Sequence, residues 1–499
     1  MRRDTFIDTY ARHLREGQAA VFLGAGLSMR AGYPSWRDLL KDIAEELGLD
    51  LELEADLPGL VQFHLNRASR TRTRLTRTIE EHFLEEREIP QALRTLARLP
   101  LRHVWTTNYD RLTEQAWREA HRRFEIKLED EDLRRDAPYA HSVLYKMHGC
   151  ITRPAKVIIA KGDYELYRRS HPAFVQHLVA QLASKRFLFL GFSFTDPNVR
   201  NLFALMRETY GDNPPESYTI VRRPQKPPKG AGRSARGRYD YEGRRHALWV
   251  EDLGNYGIQC VEIDDWSELD DILDAVERSI LLDSVMVSGS YPESGPGADA
   301  AARRRLREVA DGIGRLLAGR GIRLVSGFGL TVGDAVVAGA LDRLYATTAP
   351  NLEQSLYLRP FPQELPEGQH REEFHRRYRE EMLSHAGAVI YLGGMKEDQN
   401  APGRLRLADG VLAEFEIATQ QDRFPIPVAA TGGAAAEIWR RIDADYARHV
   451  GMLPRALFDA LNDDTAATGE MIATVGKILD WLASPKSRMA TAASRQAKT

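Results

Sequence analysis

The chain has 499 residues, more than the roughly 250 to 300 at which a single hydrophobic core stops growing, so we expect two domains. With 43% hydrophobic and 28% charged residues, the composition is that of a folded globular protein and excludes a fibrous or disordered chain. Lysine and arginine total 69 against 71 for aspartate and glutamate, which excludes the overall positive charge that attracts nucleic acid or anionic lipid. We therefore expect no nucleic-acid partner.

The cysteine content and the N-terminal residues indicate the cellular compartment in which we expect the protein. Cys150 and Cys260 are far apart and form no CxxC pair, so the sequence offers neither a disulfide framework nor a thiolate zinc site, and we expect no metal. Residues 1–4 lead into an amphipathic segment rather than the apolar stretch of a secretory signal. No stretch approaches the roughly 18 apolar residues that cross a bilayer. These features predict a cytoplasmic protein that does not enter a membrane.

Short apolar runs that end in glycine or a small polar residue recur through the first half of the chain. They occupy residues 20–24, 103–108, 186–191, 217–221 and 259–263. Between them lie stretches with helical apolar spacing, for example residues 36–47. Strands that alternate with helices are typical of a doubly wound α/β sheet of the Rossmann type, and we assign residues 1–283 to this first domain.

The segment 222–246 interrupts this pattern. It is rich in arginine, lysine, proline and glycine and carries nine lysines and arginines. Such a composition cannot bury apolar area, so it predicts a flexible, solvated surface loop. Contact with a phosphate backbone is the alternative interpretation of these charges.

A second α/β pattern begins at Ser284, after a linking helix predicted over residues 266–282. Strands are predicted at 284–290, 322–326, 388–392 and 426–429, with amphipathic helices at 300–317 and 412–420. We assign residues 284–483 to a second Rossmann-like domain. Residues 484–499 are basic, small and polar, which predicts a disordered tail.

Three motifs of the first half contain candidate functional residues, and two of them stand at the ends of apolar runs. In residues 21–28 a strand runs into the turn Gly-Ala-Gly, where missing side chains let backbone amides approach a pyrophosphate. Asn108 ends the next strand, at the edge where open α/β sheets bind ligands, and His148 lies in the motif at 146–149. Each motif alone has a structural alternative: a tight turn, a helix cap supplied by Asn108 or Asp110, or a buried histidine.

Taken in chain order, these motifs resemble those of the sirtuin-like family across about residues 1–283. The matching segments are Gly-Ala-Gly-Leu-Ser at 24–28, Gly-Tyr-Pro-Ser-Trp at 32–36, Thr-Thr-Asn-Tyr-Asp at 106–110, Lys-Met-His-Gly at 146–149 and Gly-Phe-Ser-Phe-Thr-Asp at 191–196. The resemblance implies an NAD⁺ substrate and catalytic roles for Asn108 and His148. It also implies that NAD⁺ is bound by Gly24, Ala25, Gly26, Ser28, Asp110, Gly191, Ser193 and Asp196.

Cleavage of the bond between nicotinamide and ribose needs a stabilised oxocarbenium-like ribose and a nucleophile, because nicotinamide is a good leaving group. Asn108 can hydrogen-bond the ribose or an attacking water, and neutral His148, with a reference pKa near ~6.5, can take up a proton. The deacylase sirtuins carry a four-cysteine zinc module, which two cysteines cannot supply. We therefore expect water as the acceptor, with ADP-ribose and nicotinamide as products. Protein deacylation, protein ADP-ribosylation and NAD⁺ or ADP-ribose sensing without turnover stay open.

Glycine-rich turns and charged residues recur at predicted element ends in the second half, at 287–290, 324–333, 378–382, 389–396 and 410–415. Such turns can cradle phosphates. The series resembles the SLOG family of nucleotide-binding Rossmann domains over about residues 284–483. The resemblance implies that a cyclic ADP-ribose isomer is bound by Gly289, Ser290, Gly327, Gly329, Arg379, Gly394, Lys396 and Glu414.

Within this set, Arg379 and Lys396 match the family's phosphate-contacting positions, and Glu414 matches a ribose contact. For Arg379 the alternative is a solvated helix face, because residues 370–381 are densely charged. Related folds release nucleobases from nucleotides, but residues 393–396, Gly-Gly-Met-Lys, lack the threonine and nearby glutamate of that pattern. We therefore favour a sensor over a second enzyme.

A sirtuin-like domain followed by a SLOG domain resembles the NADase effectors of the Thoeris anti-phage defence system. The resemblance implies that a partner TIR-domain cyclase makes a cyclic ADP-ribose isomer, which activates NAD⁺ hydrolysis and aborts infection by depleting NAD⁺. It also implies a homo-oligomer, a tetramer or larger, and no prosthetic group. The activating isomer, the assembly and the role of residues 222–246 stay open.

Overall fold

The computed structural model describes residues 1–484 apart from 68–70, 195, 212, 229, 231, 295–297, 347–350, 362–369, 399–400, 402 and 452. The chain forms two compact units, Met1–Glu277 and Arg278–Thr499. The boundary expected after residue 283 lies shortly beyond this division, and residues 485–499 of the tail predicted over 484–499 lie outside the described residues. Within the described residues, no helix combines the length and the apolar character that crossing a bilayer requires.

Unit 1 is built on a seven-stranded parallel sheet. Its strands are β1 Ala19–Leu23, β2 His103–Thr106, β3 Phe124–Lys127, β4 Ser142–Lys146, β5 Arg186–Leu190, β6 Ser217–Arg222 and β7 Ile258–Ile263. Their order is β3-β4-β2-β1-β5-β6-β7, and every neighbouring pair is parallel. The chain passes from β1 to β2 on one side and later returns to the other side of β1 at β5. The place where the strand order changes direction, here beside β1, is called the switch point, and α/β sheets bind ligands there at the carboxyl ends of the strands.

Helices connect these strands. They are α1 Arg3–Arg15, α2 Ala25–Arg30, α3 Trp36–Leu39, α4 Lys41–Leu47, α5 Leu57–Arg67, α6 Thr73–Phe83, α7 Gln91–Arg98, α8 Leu112–Glu119, α9 Lys161–Ser170, α10 Pro172–Ser184, α11 Pro197–Tyr210, α12 Arg233–Gly254 and α13 Ser267–Leu281, with 3₁₀ turns at Asp130–Arg134 and Pro154–Lys156. All five residues of β1 are buried, which explains its continuous apolar run. The predicted doubly wound α/β sheet is therefore confirmed.

The prediction of a flexible loop over residues 222–246 is wrong for most of that segment. Residues from Arg233 onward form α12, a helix of 22 residues. The prolines that suggested a loop, at positions 224, 227 and 228, all precede the helix, and arginine is a good helix former. Arg238 pairs with Glu242 one turn later at 2.9 Å, and Leu253 anchors the far end by burial.

Two smaller differences from the sequence analysis concern unit 1. The single helix expected over residues 36–47 is divided at Leu40 into α3 and α4. Strands β3 and β4 were not predicted: β3 is short and half-exposed, and β4 ends in a lysine, a residue type that is rarely buried. The linking helix predicted over 266–282 is present as α13.

Unit 2 is built on a five-stranded parallel sheet. Its strands are β8 Ser284–Ser290, β9 Arg323–Ser326, β10 Leu356–Leu358, β11 Ala388–Gly393 and β14 Phe424–Val428, and a separate antiparallel hairpin consists of β12 Met395–Glu397 and β13 Leu405–Leu407. The order in the sheet is β10-β9-β8-β11-β14, with parallel neighbours. The chain order reverses between β8 and β11, so the second predicted Rossmann-like sheet also has a switch point.

The helices of unit 2 include one closely packed pair. They are α14 Ala300–Gly319, α15 Val332–Tyr345, α16 Leu352–Ser355, α17 Arg371–Leu383, α18 Asp409–Gln420, α19 Gly433–Ala444, α20 Tyr446–His449, α21 Arg455–Asp459 and α22 Thr468–Ala483, with 3₁₀ turns at Ala429–Thr431 and Ala460–Asn462. A Cβ atom on Gly339 of α15 would lie 2.0 Å from the carbonyl oxygen of Asp311 on α14. Glycine therefore permits the close approach of these two helices.

We expect Gly339→Ala to force α14 and α15 apart and to lower the free energy of unfolding by about 1 to 3 kcal/mol. The matched control is Gly469→Ala in the first turn of α22, where an added Cβ meets nothing within 4 Å. That change leaves stability close to the wild-type value. Thermal unfolding of both variants checks the prediction, and equal midpoints contradict it.

Candidate active site and ligand site

The first candidate site lies at the carboxyl ends of four strands of unit 1. Gly24 follows β1, Asn108 and Asp110 follow β2, His148 follows β4 and Gly191 follows β5. Because all these strands are parallel, their carboxyl ends lie at one edge of the sheet. The fold thus brings motifs that are far apart in sequence to the edge that contains the switch point.

The two glycine turns at this edge pack directly against each other. A Cβ atom on Gly24 would lie 2.4 Å from the carbonyl oxygen of Gly191, and one on Gly26 would lie 2.8 Å from the Gly191 Cα. The Gly26 amide donates to the Gly191 carbonyl at 2.9 Å, and Gly191 itself has a φ of +63°. These glycines are therefore required by the contact between the turns. The Gly26 amide is used in that contact, whereas Ala25 between the glycines is exposed.

The Asn108 side chain is held by hydrogen bonds from its amide nitrogen. Its Nδ2 donates to the Gly24 carbonyl at 3.0 Å and to Ser28 Oγ at 2.9 Å. Its Oδ1 is buried and has no hydrogen-bond partner among the described residues. The helix-cap alternative belongs instead to Asp110, whose Oδ1 accepts from the Leu112 amide at 2.9 Å at the start of α8. Within the described part of the chain, Asn108 Oδ1 is thus an unsatisfied acceptor.

His148 is 2% exposed, and its ring stands edge-on to Tyr164 and Tyr167 with centroids 5.3 and 6.1 Å away. Its Nε2 lies 3.6 Å from Asp196 Oδ2. Burial lowers the pKa of His148, and the Asp196 carboxylate partly opposes this effect. The imidazole is therefore neutral at pH 7 and can accept a proton. Asp196 also accepts from the Val199 amide at 3.1 Å in the first turn of α11.

A buried ion pair behind this edge was missed by the sequence analysis. Lys146 Nζ donates to Glu114 Oε1 at 2.9 Å, and each residue is 1% exposed. Lys146 also donates to the backbone carbonyl of Asp110. The available signal was a lysine at the end of an otherwise apolar strand, since buried lysines are almost always paired. In the described part of the chain no group of three or more His, Cys, Asp or Glu side chains could hold a metal ion.

The second candidate site lies at the carboxyl ends of β8, β9 and β11 in unit 2. A Cβ atom on Gly329 would lie 2.0 Å from the Gly289 carbonyl oxygen, and one on Gly289 would lie 2.1 Å from the Leu392 carbonyl oxygen. Gly394 has a φ of +91°, and its amide donates to the Ser290 carbonyl at 2.9 Å. The predicted glycine turns therefore meet at the switch point of the second sheet.

Arg379 points into this unit rather than into solvent. Its side chain is 17% exposed, with Nε 3.6 Å from Glu414 Oε1 and Cζ 4.8 Å from the ring centre of Phe361. Ser288 Oγ donates to Glu414 Oε2 at 2.5 Å. Burial raises the pKa of Glu414, and Ser288 and Arg379 oppose the rise. The solvated-face alternative for Arg379 therefore does not apply.

Other residues of the second site are arranged differently from the expectation. Lys396 lies on the β12–β13 hairpin, where its Nζ pairs with Asp409 Oδ2 at 2.7 Å. This ion pair is separate from the one between Arg379 and Glu414. Gly327 lies beside Phe361, where an added Cβ would be 3.5 Å from the ring. Phe361 was missed because nothing in its local sequence marks it, and Ser288 was missed although it lies in the marked turn at 287–290, because only the fold brings it to Glu414.

Comparisons with known proteins agree with this two-unit architecture. A family model described as a SIR2-like domain matches residues 102–240, and one described as the Sir2- and TIR-associating SLOG family matches residues 268–482. The fold and its two sheet-edge sites thus define a SIR2-like and SLOG tandem protein, as the sequence motifs predicted.

Relatives over nearly the full length narrow this class. A Bacillus cereus (strain MSX-D12) protein named NAD(+) hydrolase ThsA is 32% identical over 482 residues, covering 96% of this chain and 98% of its own. Proteins with the same name from Enterococcus faecium and Cytobacillus dafuensis are 34% and 31% identical, covering 92% and 96% of this chain and 95% and 96% of their own. The chain belongs to the ThsA family of NAD(+) hydrolases.

Proposed function

We propose that unit 1 hydrolyses NAD⁺ to ADP-ribose and nicotinamide at the edge that carries Asn108 and His148. The observation that carries the proposal is the Asn108 amide, whose nitrogen is fully used while its buried oxygen has no partner among the described residues. A buried acceptor of this kind is costly unless a ligand satisfies it. The names of the full-length relatives supply the substrate.

The proposed chemistry follows from the two side chains. Asn108 Oδ1 accepts a hydrogen bond from a ribose hydroxyl or from the attacking water, and neutral His148 takes up the proton that is released. The water oxygen bonds to the anomeric carbon as the bond to nicotinamide breaks, and the electron pair leaves with nicotinamide. General base catalysis of this type contributes about 10²- to 10⁴-fold. The turns that contain Gly24, Ala25 and Gly26, and Gly191 and Ser193, are the proposed contacts of the rest of NAD⁺.

Water is the proposed acceptor rather than an acyl-lysine side chain. Cys150 and Cys260 are both buried, and Cys260 lies in β7, away from the turn that contains Cys150. Four cysteines are needed for the zinc module of the deacylases. NAD⁺ labelled in its ADP-ribose part, incubated with the protein, acyl-lysine peptides and a panel of cyclic ADP-ribose isomers, is expected to give free ADP-ribose. Deacylated peptide or labelled protein in its place overturns the hydrolase assignment.

We further propose that unit 2 binds the signal that activates hydrolysis, a cyclic ADP-ribose isomer made by a TIR-domain cyclase. Arg379, packed on Phe361, supplies a cation for a phosphate, Lys396 a second one, and Glu414 a ribose contact. A ligand shifts activity only if it prefers one of two states, so basal activity is low without it. We propose that a homo-oligomer couples signal binding to NAD⁺ hydrolysis. The proposed outcome is depletion of NAD⁺ during phage infection.

The proposal predicts a pH profile that Asp196 controls. His148 has a pKa below its usual 6.5, so kcat/KM is level near pH 7 and falls only as acid protonates the imidazole. The Asp196 carboxylate favours the protonated ring. Asp196→Asn, which keeps a helix-capping side chain, is therefore expected to move the acid limb to lower pH. Nicotinamide release measured from pH 4.5 to 8 checks this, and a limb that stays or moves upward contradicts it.

A further inference from the structure

A chain of buried polar groups lies directly behind Asn108. Ser28, Asp110, Glu114 and Lys146 are all less than 5% exposed. Charged groups are rarely buried unless they are paired, and a buried ion pair adds little net stability compared with apolar residues of the same volume. The presence of this pair next to the catalytic edge is therefore not explained by stability alone.

The hydrogen bonds of this chain fix the orientation of the Asn108 amide. The Gly24 carbonyl can only accept, so the atom of Asn108 that contacts it must be Nδ2. The second Nδ2 hydrogen goes to Ser28 Oγ at 2.9 Å, and the Ser28 hydroxyl in turn donates to Asp110 Oδ2 at 2.5 Å. Asp110 is thus the final acceptor of this series of hydrogen bonds, so Ser28 donates to Asp110 and accepts from Asn108. This arrangement leaves Asn108 Oδ1, which is buried and has no partner among the described residues, as the unused acceptor of the amide.

Asp110 is itself held from two sides. Its Oδ1 accepts from the Leu112 amide at 2.9 Å, and its backbone carbonyl accepts from Lys146 Nζ. Lys146 also binds Glu114 on α8, and it lies on β4 two residues before His148. Burial acts to lower the pKa of Lys146, but Glu114 and other acidic neighbours outweigh it, and the pKa is raised. The ammonium group therefore links the segment of Asn108 to the strand that precedes His148.

We propose that Ser28 and Asp110 are positioning residues that aim Asn108 Oδ1 at the reacting ribose or water, and that the Lys146–Glu114 pair keeps this segment in register with His148. This inference rests on the proposed NAD⁺ hydrolysis. It gives Ser28 and Asp110 a role different from the NAD⁺ contacts that the motif implies, because both carboxylate oxygens of Asp110 are already used within the protein.

The first test is Ser28→Ala in the full-length protein, with NAD⁺ as substrate and a panel of cyclic ADP-ribose isomers as activators. Loss of the acceptor lets the Asn108 amide move, so kcat falls on the order of 10- to 100-fold while KM for NAD⁺ is little changed. The matched control is Ser142→Ala, another buried serine, at the opposite end of β4, which is expected to keep its kcat. A rise in KM with an unchanged kcat makes Ser28 an NAD⁺ contact and overturns the inference.

The second test separates positioning from stability. Lys146→Met alone leaves Glu114 buried and unpaired and destabilises the protein. The double variant Lys146→Met with Glu114→Leu removes both charges, so thermal stability recovers, while kcat stays on the order of 10-fold or more below wild type. A double variant with both stability and kcat restored shows a purely structural pair and overturns the inference.

A crystal structure of Ser28→Ala supplies a readout that does not depend on turnover. The inference predicts that the Asn108 amide rotates or loses its bond to the Gly24 carbonyl, and an amide that keeps the wild-type position overturns it. A wild-type protein that releases no nicotinamide with any isomer overturns the proposed function instead. The two failures are therefore distinguishable.

Discussion

Replacement of His148 by glutamine lowers kcat for NAD⁺ cleavage by about 10²- to 10⁴-fold. Glutamine retains a polar side chain of similar size in the space beside Tyr164 and Asp196, but it cannot take up the proton of the attacking water. KM for NAD⁺ changes much less, because the substrate contacts proposed here come from the glycine turns. Nicotinamide release at saturating NAD⁺ and activator measures the effect.

The matched control is His177→Gln. His177 also has a pKa lowered by burial, but its ring contacts Tyr145 and Gln181 away from the catalytic edge. This variant is expected to keep a kcat close to wild type. If His148→Gln retains kcat as well as His177→Gln does, then His148 is not the proton acceptor.

Replacement of Arg379 by methionine removes the response to the cyclic signal. Methionine fills the space above Phe361 but cannot pair with a phosphate, and it leaves the buried Glu414 without its cation. A hydrogen bond to a charged group is worth about 1.5 to 3 kcal/mol, so affinity for the cyclic ADP-ribose isomer falls roughly 10- to 100-fold or more. Calorimetric binding and the activator concentration for half-maximal turnover measure the loss.

Arg376→Met is the control on the same helix. Arg376 is exposed and pairs with Glu380 at 2.8 Å in an i, i+4 arrangement, which contributes little. We expect signal binding by this variant to match wild type. An equal loss of signal affinity in the two variants indicates that binding depends on the overall charge of α17 and not on Arg379 itself, which contradicts the site assignment.

The predictable parts of the fold are the strands and helices whose burial shows in the apolar pattern of their own sequence. β1, β11 and residues 187–190 of β5 are buried, so their sequences are continuous apolar runs that end in glycine or are followed by one. The helix α12 was not predictable from the same signals, because its composition of arginine, glycine and tyrosine is also that of a loop. In the structure this segment is helical, and Leu253 near its end is buried.

For the candidate site, the sequence placed Asn108 at the end of a predicted strand and His148 in a separate motif, but it could not show which residues support them. Ser28 and Asp110 are 82 residues apart, and Lys146 and Glu114 are 32 apart, so their bonds exist only once the sheet has formed. The contact between Arg379 and Glu414 also exists only in the folded protein. From sequence alone, the charge-dense helix around Arg379 is equally consistent with an exposed side chain. The packing of α17 against α18 turns its side chain toward Glu414.

We propose that this protein hydrolyses NAD⁺ at the sheet edge that carries Asn108. The most direct measurement is chromatographic quantification of nicotinamide and ADP-ribose released from NAD⁺ by the purified protein with a panel of cyclic ADP-ribose isomers. We predict equimolar release of both products with at least one isomer, and its loss in Asn108→Ala with NAD⁺ binding retained. No release with any isomer, or release that Asn108→Ala leaves unchanged, contradicts the account.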